Sequence, residues 1–312
     1  MDSKGFTNYL ESKGLSKATQ KEYTENATRF FGKVKKKEIQ ISKPDILKYF
    51  EYLKNKGLQN ITRNNHLIAL NHYFTFLYQS EQITENPCSL LKIRGKNKKQ
   101  LHKIYTVEEL ELLCDNFYQY FVRSYDDSHI PKNQQKQSAL NRQRNAVVLS
   151  ILIYQGINTN ETGTIELDDL DLIKATIKIQ NKKTPKRTLP LKAVQIGLIM
   201  YYLQNTRPQL LEYQTKESNK LFLLLPKSGS KTANNDTLKH LFKPLVKQVK
   251  IIDKQFVSFK QIRASVITDW LKTQGLRKAQ YLAGHSTITS TENYLPNNID
   301  NLIEDINKLH PF

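Results

Sequence analysis

The sequence predicts a mainly α-helical protein with one small antiparallel β-sheet, divided into an all-helical domain over residues 1–93 and an α+β domain over residues 105–312. Three observations carry this. Apolar residues recur at helical spacing through most of the chain, whereas residues 165–191 switch to strict alternation. A break at Pro87 and a basic stretch over residues 94–104 separate two blocks of apolar periodicity. At 312 residues the chain is also long for one compact core, so two domains are the natural division.

From the N-terminus, residues 4–13 read as a first short helix. Ser16 then caps a second, in which Tyr23, Ala27, Phe30, Phe31 and Val34 fall at i, i+4, i+7, i+8 and i+11, one stripe of an α-helix. A third follows Ser42, with Ile46, Leu47, Phe50 and Leu53 on its core face and Gly57 as its stop. From Asn60 a longer helix runs towards Tyr78, with Leu67, Leu70, Phe74, Leu77 and Tyr78 on one face and Arg63 on another. The helical unit ends near the turn ENPCSLLK. Next comes RGKNKKQLHK, with five basic residues and no acidic one. It is either a solvated linker or a strap across a phosphate backbone, where each lysine adds affinity without demanding a base sequence.

The second domain opens with Thr106-Val107-Glu108-Glu109, a capping box ahead of the apolar run Leu110 to Leu113. Residues 126–136 read as a polar surface loop, and Arg144 to Gln155 as a buried helix. The segments ATIKIQ and KRTLPL alternate, with Asn181 to Pro185 between them, which gives a basic hairpin in a small antiparallel sheet. Leu238, Leu241, Phe242, Leu245, Val246 and Val249 mark another helix, with Pro244 at a kink or an early turn. Ser258 begins SFKQIRASVITDWL, whose Ile262, Val266 and Trp270 form a buried side. In the tail, Ile299, Leu302, Ile303, Ile306 and Leu309 recur at helical spacing.

Composition narrows the partners. Hydrophobic residues at 38% and charged ones at 25% belong to a globular chain. Lys plus Arg number 48 against 29 Asp plus Glu, a formal charge of +19 that attracts a polyanion and releases counterions on contact, so nucleic acid leads the list. Cys88 and Cys114 lie in no CxxC or His-rich cluster, so neither a disulfide framework nor a zinc site is expected, as suits a reducing cytoplasm. No signal-type segment opens the chain and no run approaches the ~18 apolar residues of a membrane span. The expectation is a soluble cytoplasmic protein associated with the nucleoid.

The chemistry gathers towards the C-terminal end. Lys260 and Arg263 are three apart, on one helix face and in its first turns, where backbone N–H groups also favour an anion. Each motif taken singly has an ordinary structural reading. Their order does not. A basic hairpin with Lys182, then KQIR, then LAGH with His285 twenty-two residues after Arg263, then Tyr294 nine residues further on resembles the tyrosine recombinase (phage integrase) family. The resemblance spans almost the whole chain: residues 5–92 resemble the helical core-binding domain, including its ENP turn, and TVEEL resembles the start of the α+β catalytic domain.

The resemblance implies cleavage and rejoining of duplex DNA at specific sites, for a mobile genetic element. Tyr294 matches the nucleophile, His285 the LGH histidine, and Arg263 the second catalytic arginine. Lys260 stands where the family usually has the histidine of HxxR. Lys182 matches the mobile hairpin lysine when the strands are aligned on Arg187 and Pro190-Leu191. The family's TGLRxxEL reads QGINTNET here, so Asn158 replaces the first arginine and Glu161 matches the acidic residue. An asparagine brings neither charge nor a bidentate fork, and losing one such cation would cost ~3–4 kcal/mol, slowing the reaction hundreds-fold. Arg144, Arg187 or Lys183 are candidates to replace that charge.

DNA contacts are expected from Arg63, Arg94, Lys96, Lys98, Lys99, Lys183 and Arg187. The family chemistry implies no metal and no cofactor, because the phosphotyrosyl link stores the bond energy. It also implies a homotetramer assembled on DNA, with accessory directionality or host DNA-bending proteins as further partners and a tail that docks in its own domain or on a neighbouring protomer. Two alternatives stay open: a DNA-binding accessory relative weakened by loss of the arginine, and a type IB topoisomerase.

Overall fold

The computed structural model describes residues 1–93, 103–181, 184–226, 230, 232–233 and 238–295. The chain divides into two compact units, Met1–Gln100 and Leu101–Phe312. The first contains four helices among its described residues: α1 (Ser3–Ser12), α2 (Lys17–Val34), α3 (Lys43–Asn55) and α4 (Asn60–Gln79). The Ser16 hydroxyl accepts from Thr19 N–H to start α2, and Asp45 closes a capping box with Ser42 at the head of α3. Phe6, Leu10, Phe30, Ile46, Tyr73 and Phe74 fill the core. Edge-on aromatic pairs such as Phe6–Tyr73, with centroids 4.9 Å apart, match positive ring edges to negative faces.

Two facing residues differ from the expectation. Leu47 and Tyr78 are exposed, while Tyr49 and Tyr73 take the inward positions. Each phenol packs its ring into the aromatic cluster, which buries more apolar area than the leucine stripe alone would provide.

The second unit is built around α6 (Lys132–Tyr154), whose residues Val147 to Ile153 run through the core. This helix starts at Lys132, within the stretch expected as a loop. Arg142 explains the extension: its guanidinium donates to Phe121 O, Ser138 Oγ and Asp127 Oδ2, which ties the polar first turns to the preceding chain. Ahead of it stands α5 (Val107–Tyr118), begun by the Thr106–Glu109 capping box. After it come the single turn α7 (Thr159–Thr162) and a three-stranded antiparallel sheet in the order β1 (Leu170–Asp171), β2 (Thr176–Asn181), β3 (Thr184–Pro190). Pro185, expected in the hairpin turn, already belongs to β3. Ile179 pairs with Arg187 and Ile177 with Leu189, which sets Arg187 and Leu189 on the same inward side of β3.

The remaining helices are α8 (Ala193–Tyr201), α9 (Arg207–Leu211), α10 (Lys239–Ile252, with Pro244 inside), α11 (Phe259–Ala283) and α12 (Ile288–Glu292). Gly275 breaks α11, with φ +75° and ψ 169°. That break folds the second half of α11 back. Arg263 bonds the carbonyl of Ala283, 20 residues on, which an unbroken helix would hold about 30 Å away. Among the described residues no helix is long and apolar enough to cross a membrane, and none of them form a cluster of three or more metal-ligating side chains. Cys88 and Cys114 are buried free thiols.

Candidate active site

Arg263 is the hub. Its Nη1 donates to Gly156 O at 2.7 Å and its Nη2 to Ala283 O at 2.7 Å, so the guanidinium joins the end of α6 to the end of α11. Nη2 also lies 3.3 Å from His285 Nε2, and Nη1 lies 3.6 Å from Glu161 Oε2. Burial lowers the Arg263 pKa, opposed by the negative charge of Glu161 and by the nearby Tyr294 phenol. Arginine stays charged under these conditions.

His285 is delivered by the way α11 ends. Gly284 adopts φ +67°, Gly284 N–H bonds Tyr281 O, and His285 N–H bonds Gln280 O, the paired bonds that close a helix on a left-handed residue. The imidazole therefore projects from the first residue past the turn. Burial, then the Arg263 and Arg187 charges, depress its pKa to about 4, so it is neutral at pH 7. Its Nδ1 lies 2.9 Å from Thr291 Oγ1, and its ring stacks on Tyr294, with centroids 5.8 Å apart and planes 14° apart. Tyr294 follows α12 directly and is half-buried. The three side chains that sequence spacing linked, Arg263, His285 and Tyr294, thus share one site.

Behind them lies a buried ion pair. Arg187 Nη1 donates to Glu161 Oε1 at 2.8 Å and Nε to Leu282 O at 2.8 Å, and both the Arg187 and Glu161 side chains have 0% exposure. Burial pushes the Glu161 pKa up, but the Arg187 hydrogen bond and charge, the Asn158 N–H and the Arg263 charge together hold it below the ordinary range. Arg187, expected on the DNA-facing surface, is instead an internal support. Strand alternation is the reason, since it lies in phase with Leu189.

Asn158 caps α7. Its Oδ1 accepts from Asn160 N–H and Glu161 N–H, and its own N–H donates to Glu161 Oε2 at 2.9 Å. Lys260 is exposed one residue into α11, on the turn before Arg263. Arg144 is committed to Leu223 O and Asn145 Oδ1, away from the Arg263 contacts. In the first unit, Arg63 bonds Asn60 and lines a groove with Lys54 and Lys92. Lys182 and Lys183, between β2 and β3 in sequence, Arg94, Lys96, Lys98 and Lys99 in the basic segment, and the tail from residue 296 lie outside the described residues.

Two positions that brace the site carry no signal of their own in the sequence. Thr291 looks like one of several small hydroxyl residues, although it is spaced six after His285 and three before Tyr294. Gln155 is not singled out by its sequence neighbours either. Its amide exchanges hydrogen bonds with Gln195 and donates to Pro190 O, fastening the end of α6 to β3 and α8.

Comparison with known proteins identifies the family. Residues 128–300 match the phage integrase family, and residues 3–84 match its N-terminal SAM-like domain. Tyrosine recombinase XerC of Natranaerobius thermophilus is 28% identical over 273 residues, covering 87% of this chain and 84% of its own length. XerC of Listeria innocua is 26% identical over 99% of this chain and 97% of its own. Among solved structures, the XerH recombinase bound to palindromic difH in a post-cleavage complex has a TM-score of 0.71 at 20% identity, covering 96% of this chain and 82% of that one. The Tn1549 transposon integrase bound to a circular intermediate DNA has a TM-score of 0.63 at 19% identity, covering 94% of each chain. Matched by family models over residues 3–84 and 128–300, this chain belongs to the phage integrase family of tyrosine recombinases.

Proposed function

We propose that this protein cleaves and rejoins duplex DNA at specific sites through a 3′-phosphotyrosyl intermediate on Tyr294, in the service of a mobile genetic element. The observation that carries the reading is the convergence of Arg263 on His285 at 3.3 Å with the Tyr294 ring stacked above. A phosphodiester repels nucleophiles, so a site must neutralise its oxygens as the bond order changes. Arg263 and Lys260 supply that charge, and His285 assists proton movement. The Tyr294 oxygen attacks phosphorus while the phenol proton is released with the help of His285, the P–O5′ bond breaks, and Lys182 donates a proton to the departing 5′-oxygen. Attack by a 5′-hydroxyl from a second duplex then reverses the step and exchanges strands.

Asn158 occupies the position of the family's first arginine in this reading, and its carbonyl oxygen is already engaged in capping α7. The site therefore works with fewer cations. The +19 formal charge, Arg63 and the basic residues Arg94, Lys96, Lys98, Lys99 and Lys183 hold the duplex by its phosphates. Residues 94–104 link a DNA-clamping domain to the catalytic one, and four protomers assemble on two sites, aided by accessory directionality or DNA-bending proteins. The protein works in the cytoplasm on the nucleoid.

The Asn158 cap also favours a second reading, an accessory DNA-binding protein with little cleavage. Incubation with nicked suicide duplexes carrying candidate element ends separates them. A covalent adduct that yields exchanged strands supports the recombinase, tight binding to a verified site with no adduct supports the accessory protein, and relaxation of supercoils without exchange supports a topoisomerase.

A further inference from the structure

We propose that Thr291 is a positioning residue that accepts the Nδ1 proton of His285, so that the tautomer set by Arg263 is reinforced only while the turn carrying Tyr294 is docked. The proposal rests on the reading that His285 and Tyr294 serve phosphoryl transfer.

The tautomer follows from donor and acceptor chemistry. A neutral imidazole has one N–H and one bare nitrogen, and a guanidinium has donors but no acceptor. Arg263 Nη2, 3.3 Å from Nε2, must therefore donate to it, which leaves the proton on Nδ1. Thr291 Oγ1, 2.9 Å from Nδ1, is then the acceptor. Thr291 has no exposure, so water cannot take its place. Burial and the two arginines keep the ring neutral, the condition under which a tautomer is defined at all.

The location of the hydroxyl gives the contact its second property. Thr291 sits on α12, and Tyr294 N–H bonds Thr291 O at 3.0 Å, so hydroxyl and nucleophile move as one turn. When α12 leaves the site, His285 keeps Arg263 but loses the acceptor of its Nδ1 proton. Nucleophile docking and completion of the histidine's hydrogen bonds are thereby a single event, and a detached Tyr294 leaves behind an imidazole held by Arg263 alone.

The test uses DNA-free, full-length protein with 15N-labelled histidine, His285 being assigned by its loss in His285→Gln. Long-range 1H–15N spectra at pH 7 should place the proton on Nδ1 in the wild type and in Thr291→Ser. Thr291→Val, which keeps the shape and removes the hydroxyl, should shift the balance towards Nε2–H by about tenfold, the size of one net hydrogen bond. On suicide duplexes, adduct formation should slow about tenfold in Thr291→Val, with DNA affinity unchanged, and return in Thr291→Ser. An Nε2–H wild type, or a Thr291→Val spectrum identical to it, overturns the proposal. Absence of adduct from every protein would count against the recombinase reading alone, because the tautomer is read without DNA.

Discussion

Arg187 and Glu161 form an ion pair at 2.8 Å with both side chains wholly withdrawn from water, directly behind the Arg263 guanidinium. Removing one partner of such a pair leaves an uncompensated buried charge. Arg187→Met is expected to lose about 3–5 kcal/mol in urea unfolding, and the double change with Glu161→Leu less than the sum of the two single losses. Glu161 also sets an acid limit. Its pKa is depressed from 4.5, so its contribution is complete above that pH and disappears as pH falls through the native value. Unfolding midpoints that stay level on acidification below pH 4.5 would contradict this.

Gly284 answers to Arg187 as well as to its own backbone. A Cβ there would stand 2.2 Å from Arg187 Nη1, at φ +67°. Gly14 has a similar φ of +70° with nothing within 4 Å. Gly14→Ala should therefore show only the backbone cost of ~1–2 kcal/mol, whereas Gly284→Ala should lose more and also displace His285. Equal losses in thermal unfolding would remove the packing argument.

At Asn158 stability and chemistry pull apart. Asn158→Asp keeps the α7 cap, and Asn158→Ala should cost about 1 kcal/mol. Asn158→Arg sacrifices the cap but, on the proposed reading of this position, returns a cation to the site, and single-turnover cleavage should rise by up to about hundreds-fold, the equivalent of ~3–4 kcal/mol. Unchanged cleavage would mean that another group already meets the phosphate.

His285, with its pKa at about 4, is neutral across the range in which an ordinary histidine titrates. The adduct-formation rate should show no histidine inflection near pH 6.5. Stability carries the opposite signature: the unfolded chain takes up this proton first, so the fold weakens as pH drops from 6.5 towards 4. His285→Asn should reduce the slope of that part of the stability profile, leaving the share of His66 and His72, whose pKa values burial also lowers. An inflection near 6.5 that vanishes in His285→Asn would show a charged histidine at work.

Much of this was legible in the sequence because the signals are local. Ser16, Ser42 and Thr106 announce helix starts through side chains that reach three residues on, and the Arg263, His285 and Tyr294 spacings place three groups without any tertiary knowledge. Arg187 was legible too, since strand parity puts it in phase with Leu189, but its charge argued for the surface and the partner that outweighs that charge, Glu161, is 26 residues away. Leu47 and Tyr49 show the same limit: both fit a helical stripe, and the aromatic cluster chooses between them. The break at Gly275 is visible only as one glycine in a helical run, yet it returns Ala283 to Arg263.

The most direct test of the central claim is to trap the protein on a nicked suicide duplex, digest it, and sequence the nucleotide-bearing peptide by mass spectrometry. We expect a 3′-phosphate on the oxygen of Tyr294 and no adduct from Tyr294→Phe. A nucleotide on any other side chain, or an adduct that survives in Tyr294→Phe, would contradict it.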